Sequence, residues 1–123
     1  QRARALRATC ERLGASIVTV RVADATDPIP SAPFDGVLVD PPCSGLGTLQ
    51  SHPDLRWHAS PEAIERLVPL QQRILDNARA SASRLVYSVC TLSPAEELVP
   101  GGTRTFPPTD HTDGFYIASD GAA

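Results

Sequence analysis

The stretch VLVDPPCSGLG, residues 37–47, decides how this chain is read. An apolar run ends in an aspartate. Two prolines, a cysteine and a loop with two glycines follow. A turn needs a proline or a glycine; it has no need of a carboxylate and a thiol at its rim. The run GVLVD, residues 36–40, fits a short strand buried on both faces. Pro41 and Pro42 stiffen its exit and remove two amide donors, which leaves their carbonyls free to accept from a ligand amino group.

Upstream, SIVTVRVADA at 16–25 alternates Val18, Val20 and Val22 with Thr19 and Arg21, the pattern of a strand with one wet face. It ends at Asp24. DPIPSAP, residues 27–33, cannot hold a ladder and is a loop. Residues 2–13 have helical spacing, with Leu6, Cys10 and Leu13 on one face and Gly14 as the stop. Cys10 reads there as a small buried apolar group.

Downstream, PPCSGLGTLQSHPDLRW is a long loop, and Ser60-Pro61 is a good helix start. Ile64, Leu67, Val68, Ile74, Leu75 and Ala78 keep a helical stripe to about residue 82, with Pro69 expected to kink or split it. LVYSVC, residues 85–90, is a second buried strand. Ser93-Pro94-Ala95-Glu96 is a capping box that predicts a short helix directly after Cys90. DGFYIAS, residues 113–119, reads as a last strand.

Strands alternating with helices give an α/β domain with a largely parallel sheet. In such sheets ligands sit beyond the carboxyl ends of the strands. Those ends carry Asp24, Asp40 with Cys43, and Cys90. If the strands ending at Asp40 and Cys90 are neighbours, ~4.8 Å apart, two thiols and a carboxylate share one small space. A helix start after Cys90 favours the thiolate, the form a nucleophilic cysteine needs. A nearby carboxyl group can exchange a proton with a ring nitrogen.

The 123 residues, 20% charged and 41% apolar with a net charge of −3, make one modest domain without a polybasic footprint for nucleic acid or membrane. No apolar stretch approaches the ~20 residues that span a bilayer. Three widely spaced cysteines argue against a disulfide framework and for a reducing, cytoplasmic compartment. With three histidines they form no C-x-x-C or H-x-x-x-H spacing, so no metal site is expected.

Together, DGVLVDPPCSGLGTL, HPDLRW, LVPLQQRIL, LVYSVCTLSPAEE and DGFYIAS resemble the Sun/Fmu-type (NOP2/Sun) RNA (cytosine-5)-methyltransferases over nearly the whole chain. The paired motifs PCSG and YS-x-C carry the resemblance. It implies a Rossmann-like class I methyltransferase sheet, S-adenosylmethionine as methyl donor and RNA, ribosomal RNA above all, as substrate. It assigns nucleophilic attack to Cys90, product release to Cys43, a place between cofactor and base to Asp40, and a cofactor contact to Asp24. Arg56 and Trp57 would line the RNA path, with an anchoring role in the core as the alternative for Trp57.

The chain departs from that family in lacking its glycine-rich cofactor loop and first two strands. Residues 1–123 are therefore expected to form a partial methyltransferase domain, inactive alone, in which residues 17–22 find a new partner or lie unpaired. A non-catalytic module that keeps the sheet rim is the rival reading.

Overall fold

The computed structural model describes residues 1–30 and 32–121, so Ser31 of the proline-rich loop and the last two residues lie outside it. Four strands form one open sheet: β1 (Val37–Val39), β2 (Leu85–Val89), β3 (Thr103–Thr105) and β4 (Phe115–Asp120), in the order β1-β2-β4-β3. β1 and β2 run parallel, with Val37 opposite Leu85 and Val39 opposite Tyr87. The other two pairings are antiparallel. The sheet is thus mixed rather than largely parallel. An antiparallel return to β4 needs no crossover helix, and β3 lies within the segment that makes it.

The crossover between β1 and β2 is α2 (Pro61–Ser81). Ser60 caps it: its hydroxyl accepts from the amide of Ala63 at 3.2 Å. Pro69 does not split the helix, which runs through it unbroken. Gln71, Leu75, Ala78 and Ser81 are its buried residues, at spacings of four, three and three. They pack the face of the sheet that carries Val39, Leu85, Tyr87, Val89, Tyr116 and Ala118. The opposite face is bare. Leu38 is 71% exposed, and Val86 and Ile117 beside it are also exposed.

Three local expectations fail for physical reasons. Residues 16–25 form no strand: Val18 to Asp24 have no regular secondary structure and join no ladder among the described residues, and Ile17 and Val22 are exposed. Alternation alone cannot hold a strand that has no neighbour. The N-terminal helix α1 (Arg2–Arg12) buries nothing, so Leu6 and Leu13 face solvent and Cys10 is only half-buried. The Ser93–Glu96 capping box is not made. Pro94–Glu96 is a single 3-10 turn, Ser93 makes no side-chain cap, and Glu96 turns inward. β3 directly follows Pro100-Gly101-Gly102, a stretch without a strand pattern, and the short helix α3 (Pro107–Asp110) comes after it.

Candidate active site at the paired strand ends

Because β1 and β2 are parallel neighbours, the residues that leave their carboxyl ends leave side by side. Asp40-Pro41-Pro42 carries the chain from β1 to Cys43. β2 delivers Cys90 directly. The two sulfur atoms lie 3.3 Å apart, both partly buried and both free thiols. The expected juxtaposition of Cys43 and Cys90 is therefore present. Burial, and next the contact with Cys90, push the Cys43 thiol up to about 12.

Gly47 fixes this approach. Its amide donates to the carbonyl of Cys90 at 3.0 Å, and its own carbonyl accepts from the amide of Gly114 at 2.8 Å. A Cβ at position 47 would stand 1.8 Å from the Gly114 carbonyl oxygen. Only a residue without a side chain lets the loop after Cys43 lie against the end of β2 and the start of β4.

Beneath the thiols sits Glu96, fully buried. Its Oε1 accepts from the Ser44 amide at 2.8 Å and from Gln71 Nε2 at 2.9 Å. Its Oε2 accepts from the Ser44 hydroxyl at 2.6 Å and from the Thr91 hydroxyl. Its backbone carbonyl accepts from the Tyr87 hydroxyl at 2.9 Å. Burial, and next the charge of Glu96, raise the Tyr87 phenol well above its ordinary value. Gln71 Nε2 also donates to the Pro42 carbonyl at 2.9 Å, which occupies one of that oxygen's two lone pairs. Sequence reasoning missed Glu96 and Gln71. The signal was present: Gln71 interrupts the apolar stripe of α2, where a polar residue needs a buried partner.

Asp40 stands exposed at the same rim, next to the buried Pro41. Asp24 lies apart from the thiols, in an Asx turn. Its Oδ1 accepts from both the amide and the hydroxyl of Thr26 at 2.8 Å, bonds that lower its pKa, the amide most. Asn77 of α2 ties this turn down by donating to the carbonyls of Ala25 and Asp27 at 2.9 and 2.6 Å. Between the turn and β1 runs a groove of about 250 Å³, lined by Ala25, Ile29, Asp40, Pro41, Ile74 and Ala78 among others. Asp40 lines this groove, and Asp24 is the residue before Ala25 at its edge.

A second depression, of about 410 Å³, lies on the other side of the thiol loops, against Leu46, Arg56, Ser60, Ile64 and Leu92. Trp57 does not anchor the loop in the core. It is 78% exposed, with the Arg56 guanidinium 5.5 Å from its ring centre. Arg104 is held by both carboxylate oxygens of Glu97 at 2.5 Å. Among the described residues no cluster of three or more His, Cys, Asp or Glu is gathered as a metal site would need. Nor is any described helix long and apolar enough to cross a membrane.

This geometry has relatives. A probable ribosomal RNA small subunit methyltransferase B from Synechocystis is 45% identical over 97 residues, covering 74% of this chain and 22% of that protein. The ribosomal RNA small subunit methyltransferase B of Thermus thermophilus is 43% identical over 101 residues, covering 80% of this chain and 24% of that protein. The chain thus spans about a quarter of the length of these relatives. The crystal structure of NSun6 from Pyrococcus horikoshii with SFG superposes with a TM-score of 0.82 at 27% identity, covering 94% of this chain and 37% of that one. The open α/β sheet is therefore of the Rossmann-like methyltransferase type. Residues 1–100 match the 16S rRNA methyltransferase RsmB/F family, and the chain belongs to that family.

Proposed function

We propose that these residues are the thiol-bearing part of an S-adenosylmethionine-dependent enzyme that methylates carbon-5 of a cytosine in ribosomal RNA. The reading is carried by one observation: two free thiols 3.3 Å apart at the ends of adjacent parallel strands. It is supported by relatives that are methyltransferases of the small ribosomal subunit RNA, and by a structural neighbour that holds SFG, an S-adenosylmethionine analogue.

The chemistry needs a nucleophile because cytosine carbon-5 is by itself too weak a nucleophile to take a methyl group. Cys90, as thiolate, forms a bond to carbon-6 and drives the ring electrons toward carbon-5. S-adenosylmethionine, when bound, supplies an electrophilic methyl on a sulfonium. Asp40, exposed at the rim, orients the ring and shares a proton with ring nitrogen-3. Cys43 then takes the carbon-5 proton, the sulfur–carbon-6 bond breaks, and Cys90 leaves as thiolate. Cys43 must lose its own proton before it can act as that base, so product release accelerates as pH rises toward its raised pKa. The target base is reached single-stranded or flipped out of its helix.

The groove between Asp24 and Asp40 fits part of the donor. Its apolar floor and the Asp40 carboxylate on its wall suit an adenosine. Its 250 Å³ falls below the roughly 300–1,000 Å³ of a complete small-molecule site. The chain supplies one wall, and by itself does not transfer methyl groups.

The test uses the complete gene product and RNA containing 5-azacytosine, which traps the carbon-6 adduct. A covalent complex forms, disappears with Cys90→Ser and survives Cys43→Ser. An adduct that persists in Cys90→Ser refutes the assignment. Methyl transfer by the purified 123-residue chain refutes the claim that it lacks part of the donor site.

A further inference from the structure

Glu96 has no cation partner among the described residues, yet all four donors around its carboxylate belong to segments that carry the site. Ser44, which gives two of them, is the residue after Cys43. Thr91, which gives the third, is the residue after Cys90. Gln71, the fourth, also holds the carbonyl of Pro42, the residue before Cys43. Ser44 and Thr91 further touch each other through their hydroxyls at 3.2 Å. One carboxylate therefore binds the two thiol-bearing segments to each other and to α2. Ordinary sheet pairing does not do this, because the ladder between β1 and β2 stops at Val39 and Tyr87.

We infer that Glu96 is the positioning residue of the site: it holds Cys43 and Cys90 at the separation their shared task requires. As a positioning role it rests on the methyltransferase reading; as a geometric role it does not. The carboxylate touches neither sulfur. It acts by fixing the backbone one residue beyond each thiol, where a small error in aim is costly to reactions that depend on orientation. Removing it also leaves the Ser44 amide without its acceptor, Gln71 Nε2 with the Pro42 carbonyl alone, and the Ser44 and Thr91 hydroxyls with only each other as acceptors.

A glutamine at 96 has the same shape. Its oxygen can keep the Ser44 amide and Gln71. Its NH₂ can donate to the Ser44 and Thr91 hydroxyls, which rotate to accept. Alanine has neither group. The positioning role therefore separates the two substitutions, whereas a role for the charge would not.

The experiment follows iodoacetamide alkylation of Cys43 at pH 8, read by mass spectrometry on the peptide that carries it, at a temperature where circular dichroism shows each variant folded. Held beside Cys90, Cys43 reacts slowly, since a thiol with a pKa of about 12 is almost wholly protonated at that pH. Glu96→Ala frees the loop and raises the rate at least tenfold; Glu96→Gln stays within threefold of the parent. Should Glu96→Ala not fold, Thr91→Val and Ser44→Ala each delete one hydroxyl of the strap and raise the rate threefold or more. The inference is overturned if folded Glu96→Ala reacts within threefold of the parent. It is overturned equally if Glu96→Gln matches Glu96→Ala, or if neither hydroxyl deletion has an effect. Alkylation needs neither RNA nor methyl donor, so it judges Glu96 on its own. In the complete gene product, an unaltered protein that forms no 5-azacytosine adduct refutes the methyltransferase reading instead. An adduct that forms as fast in Glu96→Ala as in the parent refutes the positioning role.

Discussion

Cys43 and Cys90 approach to 3.3 Å between sulfurs without being joined, in segments that a buried carboxylate and a glycine contact hold together. The distance is short for two thiols and long for a bond, which is ~2.05 Å in a disulfide. Only a small movement separates the two states.

Mild oxidation should therefore close this pair first. One equivalent of diamide is expected to give an intramolecular Cys43–Cys90 disulfide, two hydrogens lighter, with Cys10 still alkylatable. Peptide mapping checks it. A bridge to Cys10, or dimers in its place, would contradict the geometry.

Alkaline titration should weaken the fold through the same thiol. Cys43 is raised from its ordinary 9 to about 12. A group whose folded pKa exceeds its unfolded one gives stability that is complete below the unfolded value and lost as pH climbs through the folded value. Stability is expected to fall between pH 9 and 12. Tyr87 adds a loss of the same sign, beginning at higher pH. The chain contains no lysine to blur this limb. Urea midpoints measured from pH 8 to 11 should decline, and Cys43→Ser should flatten the decline.

Gly47→Ala should be among the most damaging single substitutions. The added methyl would collide with the Gly114 carbonyl, so the loop must move off the end of β2. A loss of about 3 kcal/mol is expected, at the upper end for overpacking because backbone cannot turn aside. Thermal melting measures it, and a loss under about 1 kcal/mol would show that the loop relaxes freely.

Trp57→Ala should do the opposite. With the ring 78% exposed, its removal is expected to change stability by less than about 0.5 kcal/mol. In the complete gene product it should weaken RNA binding about tenfold, within the range for loss of one stacked base. Fluorescence anisotropy with a labelled RNA checks the second effect. Unchanged affinity would take Trp57 off the RNA path.

The central α/β core was legible because its signals are local. GVLVD and LVYSVC are short apolar runs, Ser60-Pro61 starts a helix, and the stripe from Ile64 to Ala78 continues it. Their meeting at Cys43 and Cys90 followed from parallel pairing. What sequence could not give depended on partners. Val18, Val20 and Val22 alternate as a strand does, but a strand exists only where another accepts its hydrogen bonds. Leu6 and Leu13 form an apolar stripe that stays exposed among the described residues. Ser93 and Glu96 have capping-box spacing, yet Glu96 gains four donors by turning inward and only one by reaching back. Asp24 has the chemistry of a ligand contact, and its local turn already occupies one oxygen.

The two sulfurs are 47 residues apart along the chain, and the whole crossover through α2 lies between them. Contacts of such separation are costly in chain entropy and form late, after nearby ones have condensed. The thiol pair consequently depends on the same long-range closure that joins β1 to β2. A polypeptide still emerging from the ribosome would expose one thiol well before its companion exists, so the pair is absent until both strands have been made.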